Sequence, residues 1–571
     1  MKESSKPLLK VENLEAFYGS LQAVKEISFS LFPATTLTLV GESGSGKSTI
    51  ALSIVNALEG AIKGKIEKRG KIAMIFQDPS SALNPVYTIG WQLMEAIQLK
   101  LELDEEAGYR RAIESLKEVQ LQQPEAIFEK YPHELSGGQR QRAMIAMALV
   151  GNPDLLIADE PTTALDVTVQ IEILKLIKRL QNERHMALLL ITHDMAVVEK
   201  MADEVIVLYA GEKVEQGKVK DILYRPKHPY TEALIEASFL EVDQEGRLSP
   251  IKGNVPSLGQ EPTGCRFHPR CPHVFETCKQ EKVPLYSIDK GSVRCFLFEG
   301  GIKRIDQPGI FKRETNFFQP QSEIDPLLTV DRLTKKFPLY HGAFRRVENY
   351  LEAVSEVSFQ VNKNEVLGIV GESGSGKTTL GKMIAGLIEP TSGSFTLKKP
   401  AQMIFQDPGA AMNPRHTVGQ ALVEPLIYHK LAKNLDEAVE KALSLAKKMG
   451  FDSQFYNRYP HEFSLGQKQR LAICRSLLLN PELIICDEPV SALDVSVQAQ
   501  ILNLFLELKS MFSTSLLFIS HDLSVVKYLC SRVLVMKSGK IVEAGTVQEI
   551  FENPQDEYTK HLIAGARYHG L

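Results

Sequence analysis

Two stretches of this sequence, GESGSGKST at 41–49 and GESGSGKTT at 371–379, place glycine, lysine and hydroxyl residues at the spacing that holds a chain of phosphates. Gly41, Gly44 and Gly46, with Ser43 between them, free successive backbone N–H groups to turn toward an anion at a helix start. Gly371, Ser373, Gly374 and Gly376 repeat the arrangement. Lys47 and Lys377 are placed to reach the β- and γ-phosphates. Ser48 and Thr378 are placed to ligate Mg²⁺, and Thr49 and Thr379 follow them at the helix start.

Paired carboxylates supply the second kind of chemistry. Asp159-Glu160 and Asp487-Glu488 each end an apolar run, LLIA and LIIC. The aspartate of such a pair can join the Mg²⁺ shell, while the glutamate orients or deprotonates an attacking water. Gln77 and Gln406, in IFQDP at 75–79 and 404–408, and His193 and His521, in ITHD and ISHD, are less specific. Each could serve as a satisfied structural polar group. Their doubling is what marks them for a site.

The elements that must position these groups also repeat. Phosphate loop, IFQDP, the LSGGQ region, the Asp-Glu pair and the histidine return in the same order at a nearly constant offset, which means a duplicated domain. TLTLV, VLGIV, ALLLIT and SLLFIS are short apolar runs that read as buried parallel strands. VTVQIEILKLIKRLQNE and VSVQAQILNLFLELKS have helical length and an apolar face. Strands alternating with helices predict an α/β fold with a mostly parallel sheet covered on both sides, its functional groups at the carboxyl ends of the strands.

Composition sets limits. The chain has 571 residues, too many for one ordinary core. Lys plus Arg total 66 against 70 Asp plus Glu, a balance that argues against a nucleic-acid footprint. No apolar run approaches the roughly 18–20 residues that span a bilayer. MKESSKPLLK lacks the apolar centre of a signal peptide. The expectation is a cytoplasmic protein that reaches a membrane only through partner subunits.

LSGGQ at 135–139, lying between a phosphate loop and an Asp-Glu pair, resembles the signature of ATP-binding cassette (ABC) proteins, and both repeats follow that family's order. The resemblance implies two tandem P-loop NTPase domains, each with a mostly parallel RecA-like sheet, a β-subdomain and a helical signature subdomain. It further implies that the two meet head to tail with two ATP molecules between them. Site one would use Lys47, Ser48, Gln77, Asp159, Glu160 and His193, completed by Ser464 and Gly466 of the other half. Site two would use Lys377, Thr378, Gln406, Asp487, Glu488 and His521, completed by Ser136, Gly137 and Gly138. In each, the glutamate, histidine and glutamine would act on the water, and Ser or Thr, Gln and Asp would surround Mg²⁺. Tyr18 would stack on adenine in the first half; Phe337 or Tyr350 would do so in the second.

The second signature reads FSLGQ, with Leu465 where the first has Gly137. Close approach of backbone to a phosphate favours glycine. The expectation is that site one is slower than site two.

Cys265, Cys271, Cys278 and Cys295 form a C-x5-C-x6-C-x16-C cluster, whereas Cys474, Cys486 and Cys530 are scattered in apolar segments. Four soft thiolates gathered in a cytosolic chain point to metal, without the short C-x2-C pairs of common zinc modules. The stretch resembles the carboxyl-terminal extension of ATPase subunits of oligopeptide and dipeptide permeases, which implies a [4Fe–4S] cluster on these cysteines. RPKHPYTEAL and NPQDEYTKHL match that subfamily after each cassette. The expected domains are residues 7–255, a cysteine-rich extension at 256–297, a linker at 298–325 and a second cassette at 326–571.

The resemblance implies an ATPase motor of a peptide importer on the cytoplasmic face of the inner membrane. Its partners would be two transmembrane permease subunits and, indirectly, an extracytoplasmic peptide-binding protein. QDPSSALNP and QDPGAAMNP would begin the segments that receive the permease. The alternative is a soluble tandem-cassette ATPase similar to the ABC-F translation factors. It would be expected to have a long charged helical linker and basic surfaces, whereas the region between the cassettes is cysteine-bearing and loop-like and the overall charge is acidic.

Overall fold

A computed structural model describes residues 6–568 apart from 163–164, 241, 243–245, 289–290, 302–324, 342–345 and 492. Most of the expected linker therefore lies outside the described residues.

Each half is built on a central sheet whose strands come from the apolar runs. In the first, the inner strands Thr36–Val40, Ala187–Ile191, Leu155–Asp159 and Ile72–Ile75 run parallel, with Glu204–Tyr209 on the other side of Thr36–Val40. Val366–Val370, Ser515–Ile519, Leu483–Asp487, Gln402–Ile404 and Arg532–Lys537 repeat this order in the second. The first three strands of each list are buried along their whole length, as a sheet covered on both faces requires. The sequence reading of an α/β doubled fold is correct.

Two further layers complete each half. Leu9–Tyr18, Leu21–Leu31 and Ala61–Lys68 form an antiparallel sheet, mirrored by Pro326–His341, Arg346–Asn362 and Ser392–Leu397. A helical layer carries the signature. Ile89–Leu101 and Glu105–Glu118 pack with Gly137–Leu149, and Val418–Tyr428 and Leu435–Lys448 with Leu465–Leu477. Each of these helices starts at a capping side chain, Thr88, Asp104, Ser136, Thr417, Asn434 or Ser464, that accepts a backbone N–H of the first turn.

The two sheets differ at one edge. The cysteine-rich extension folds a hairpin, Tyr286–Ile288 and Gly291–Val293, whose second strand pairs with Glu212–Lys218. Among the described residues the first sheet thus has eight strands against six in the second, and the extension covers an edge of the first.

The halves meet pseudo-symmetrically. Helix Pro229–Ser238 of the first packs on Val495–Phe512 of the second, and Glu557–Tyr568 of the second packs on Val167–Arg184 of the first. The latter crossing is close enough that a Cβ on Gly565 would lie 3.4 Å from Ile171 Cδ1. A strap at Gly246–Ile251, after the first cassette, reaches the second half. Asn503 donates Nδ2 to the Leu248 carbonyl at 2.9 Å and accepts the Leu248 N–H at 3.1 Å. Leu248 itself joins the core of the second half, a burial worth about 1.5–3 kcal/mol.

Candidate functional site

The phosphate loops come first because their geometry leaves little choice of residue. Gly41 and Gly371 lie under a neighbouring strand, where a Cβ would sit 2.2 Å from the carbonyl oxygens of Leu208 and Met536. Gly46 and Gly376 cap their helices at φ 94° and 100°, in the left-handed region that glycine enters without strain. Lys47 Nζ folds back on its own loop, donating to the Gly41 carbonyl at 2.7 Å and the Glu42 carbonyl at 3.0 Å. Lys377 does the same with Gly371 at 2.7 Å and Glu372 at 2.8 Å. Burial holds both ammonium groups below the usual lysine range. An anion in the loop would restore their charged partner.

Behind each loop stands the carboxylate pair. Gln77 Nε2 donates to Glu160 Oε2 at 3.0 Å, and His193 Nδ1 lies 3.3 Å from Glu160 Oε1. Gln406 donates to Glu488 Oε2 at 3.1 Å, with His521 Nδ1 3.1 Å from the same oxygen. Burial opposes the protonated imidazoles, but the hydrogen bond and charge of the neighbouring glutamate raise both histidines overall. Glu160 and Glu488 adopt φ 44° and 48°. A non-glycine residue held there costs about 1–3 kcal/mol and persists only where its surroundings over-determine it.

The Mg²⁺ ligands expected from sequence can be tested for fit. Thr378 Oγ1 donates to Asp487 Oδ1 at 2.9 Å, so hydroxyl and carboxylate are within reach of one ion. In the first half Asp159 is buried and its Oδ1 has no hydrogen-bond partner. Burial, opposed by the Ser48 hydroxyl, pushes its carboxyl up to about 6. A buried carboxylate with an orphaned oxygen beside Ser48 suits a divalent cation.

A cleft of about 490 Å³ opens between the halves, and it joins groups from both. The second half contributes Phe337, Ser373, Gly374, Gly376, Lys377, Thr378 and Thr379, with Gln406, Glu488 and His521 behind them. The first half contributes Glu160, His193 and Asp166. Phe337 therefore lines the cleft, whereas Tyr350 is 61% exposed and does not. Ser136, Gly137 and Gly138 do not line it either. They lie at the start of helix Gly137–Leu149, where Ser136 and Gln139 cap one another. At the first loop Tyr18 lies 3.4 Å from Thr49 through its hydroxyl. There Ser43 donates both Oγ and N–H to Asp494 Oδ1 of the second half, at 2.9 and 3.1 Å.

The signature substitution has a clear steric setting. A Cβ on Gly466 would fall 2.3 Å from Val497 Cγ1, and one on Gly138 2.9 Å from Val169 Cγ1. A Cβ on Gly137 meets only Leu165 Cδ2, at an ordinary 3.6 Å. Its counterpart Leu465 is 38% exposed, and Ser464 still caps Gln467. The leucine is accommodated without strain on the cassette, so any effect falls on what approaches the helix start.

The four clustered cysteines line one small cavity, and Cys278 and Cys295 are buried. None of the four is joined in a disulfide. Burial pushes Cys265 and Cys271 up to about 11 and Cys295 up to about 12. Among the described residues no group of three His, Cys, Asp or Glu is drawn together closely enough to hold a single ion.

Several residues at this site escaped the sequence reading. Tyr230 and Tyr558 accept the N–H groups of Glu42 and Glu372, both at 2.9 Å, which gives the tyrosine of HPYTEAL and DEYTKHL a purpose. Their doubled position was the available signal. Arg270 pairs with Glu42 through two bonds, 2.7 and 3.0 Å. No repeat announces it.

The sequence profile described as ABC transporter matches residues 24–163 and 354–491. A second profile, for the C-terminal region of oligopeptide/dipeptide transporters, matches residues 214–278. The chain is similar to the glutathione import ATP-binding protein GsiA of Escherichia coli (strain K12), with 40% identity over 603 residues, 98% of this chain and 89% of that protein. The protein of the same name from Salmonella typhi is 41% identical over 606 residues with the same coverage. Among solved structures the RNase-L inhibitor aligns over 94% of this chain and 91% of its own, with a TM-score of 0.56 and 21% identity. That likeness concerns the fold. No helix among the described residues is long and apolar enough to cross a membrane.

Proposed function

The chain belongs to the ABC transporter family, and we propose that within it this protein is the ATP-hydrolysing motor of an importer for peptides or related small solutes. The observation that carries this reading is the cleft in which the phosphate loop of one half faces Asp166, Glu160 and His193 of the other. Such a site is complete only when the halves approach, so nucleotide binding becomes closure and its loss becomes opening. The oligopeptide/dipeptide profile over residues 214–278 and the glutathione importers among the relatives favour a short peptide, with glutathione as the first to try.

In this reading Lys47 and Lys377 exchange their loop carbonyls for phosphate oxygens. Ser48, Gln77 and Asp159, and Thr378, Gln406 and Asp487, would hold Mg²⁺, which supplies charge neutralisation on the transferring phosphate. Glu160 and Glu488 accept a proton from, or orient, the attacking water, and His193 and His521 keep those carboxylates aimed. Cys265, Cys271, Cys278 and Cys295 would hold an iron–sulfur cluster that fixes the extension. We place the domain boundaries near 255, 297 and 325. Two membrane permease subunits would dock on the helical layer from the membrane side, which sets the motor on the cytoplasmic face and leaves solute selection to them and to an external binding protein.

The test is affinity purification of the tagged full chain from cells solubilised in mild detergent. Two multi-span membrane proteins should co-purify in stoichiometric amounts. Recovery of ribosomes without membrane proteins would overturn the importer and favour the tandem-cassette translation factor.

A further inference from the structure

We propose that Arg270 is a positioning residue that locks the first ATP site to the second half of the chain, so that site one stays assembled while site two opens to exchange nucleotide. The inference rests on the assignment of the two ATP sites above.

Arg270 sits between Cys265 and Cys271 in the extension, yet its guanidinium reaches the first phosphate loop. It forms a two-pronged pair with Glu42, and the two side chains are only 3% and 5% exposed. Its Nε donates to the Lys252 carbonyl at 2.9 Å and Nη2 approaches the Ile251 carbonyl at 3.4 Å. That same Ile251 carbonyl accepts from Gln500 Nε2 at 3.1 Å and Ser496 Oγ at 3.4 Å. Both donors lie in the first turns of helix Val495–Phe512, and the residue before this helix is Asp494, which accepts from Ser43. Adjacent residues of one phosphate loop, Glu42 and Ser43, are therefore tied to one helix of the opposite half by two routes. One is direct; the other runs through Arg270 and the strap. The planar fork of arginine matches a carboxylate in two bonds, which a lysine cannot reproduce.

Among the described residues site two has neither tie. Glu372, the counterpart of Glu42, forms no ion pair among the described residues. Asp166, the counterpart of Asp494, caps its own helix by accepting the Val169 N–H at 3.0 Å instead of meeting Ser373. The open cleft lies at this second loop.

A photoreactive adenine analogue of ATP, loaded on the full chain and chased with unlabelled ATP, separates the sites by peptide mapping. In the wild-type chain, label on first-half peptides should outlast label on second-half peptides. Glu42→Gln, which keeps the arginine and its carbonyl bonds, should speed loss of first-half label by about tenfold or more and leave the second half unchanged. Arg270→Ala should do the same, and Arg270→Lys should not restore the wild-type chase. Equal acceleration at both sites, or none in Glu42→Gln and Arg270→Ala, would overturn the lock. Absence of label from both halves of the wild-type chain would contradict the ATP-site assignment itself.

Discussion

Ser43 and Asp494 lie 451 residues apart in the chain and are joined by two hydrogen bonds to a single carboxylate oxygen. The bond changes what Asp494 does locally. The matching Asp166 caps its helix, whereas the helix after Asp494 has no side-chain cap. Asp494→Ala should therefore cost little helix stability and speed nucleotide release from the first site, since it removes a contact between the halves. Asp166→Ala should lower stability by about 0.5–2 kcal/mol through the lost cap. Thermal unfolding and nucleotide release distinguish the two.

The signature helices offer a reciprocal exchange. Gly137 has room for a side chain, so Gly137→Leu should fold with a stability within about 0.5 kcal/mol of the wild-type chain and slow site two. Leu465→Gly should speed site one. Gly466→Ala places a methyl group 2.3 Å from Val497 Cγ1 and should destabilise the second half by about 1–3 kcal/mol. Chemical denaturation and single-turnover hydrolysis read these effects.

Glu215 gives a pH dependence with a definite sign. Burial, only partly offset by the N–H groups of Lys227 and His228, pushes its carboxyl up to about 7 from an ordinary value near 4.5. The folded state thus holds its proton more tightly than the unfolded chain. Its stability contribution is complete below about pH 4.5 and is lost as pH rises through about 7, by at most about 1.4 kcal/mol per unit of separation. Glu215→Gln should flatten the fall in denaturation midpoint between pH 5 and 8. An unchanged slope would show that Glu215 does not titrate in that window.

The cysteine cavity makes a prediction independent of ATP. The chain purified without oxygen should contain iron and acid-labile sulfide. Cys271→Ser should remove most of both, because in the proposed cluster it would replace a thiolate by a poorer ligand. Cys530→Ser, a buried change in the core of the second half that does not line the cavity, should leave the content unchanged. Iron-free wild-type protein would remove the cluster.

Legibility from sequence followed repetition and periodicity. The strands Thr36–Val40 and Val366–Val370, the helices after Asp166 and Asp494, and the clustering of Gln77, Glu160 and His193 could all be read from motifs that occur twice. Arg270 could not, because its partner Glu42 is 228 residues away and nothing in the second half repeats the pair. Asp494 could not be told from Asp166 for the opposite reason. The motifs match, and only tertiary packing decides which carboxylate caps a helix and which crosses to the other half. Leu465 was visible as a departure, but its exposed setting depends on the approach of Val497 to Gly466 rather than to Leu465, which no spacing reveals.

Steady-state hydrolysis by Glu160→Gln and Glu488→Gln variants shows whether the two proposed ATP sites are equivalent. Glu488→Gln should lose far more activity than Glu160→Gln, by about tenfold or more, because Glu488 lines the open cleft and, in the proposed assignment, the signature that would complete its site keeps both glycines. Equal losses in the two variants would contradict this expectation.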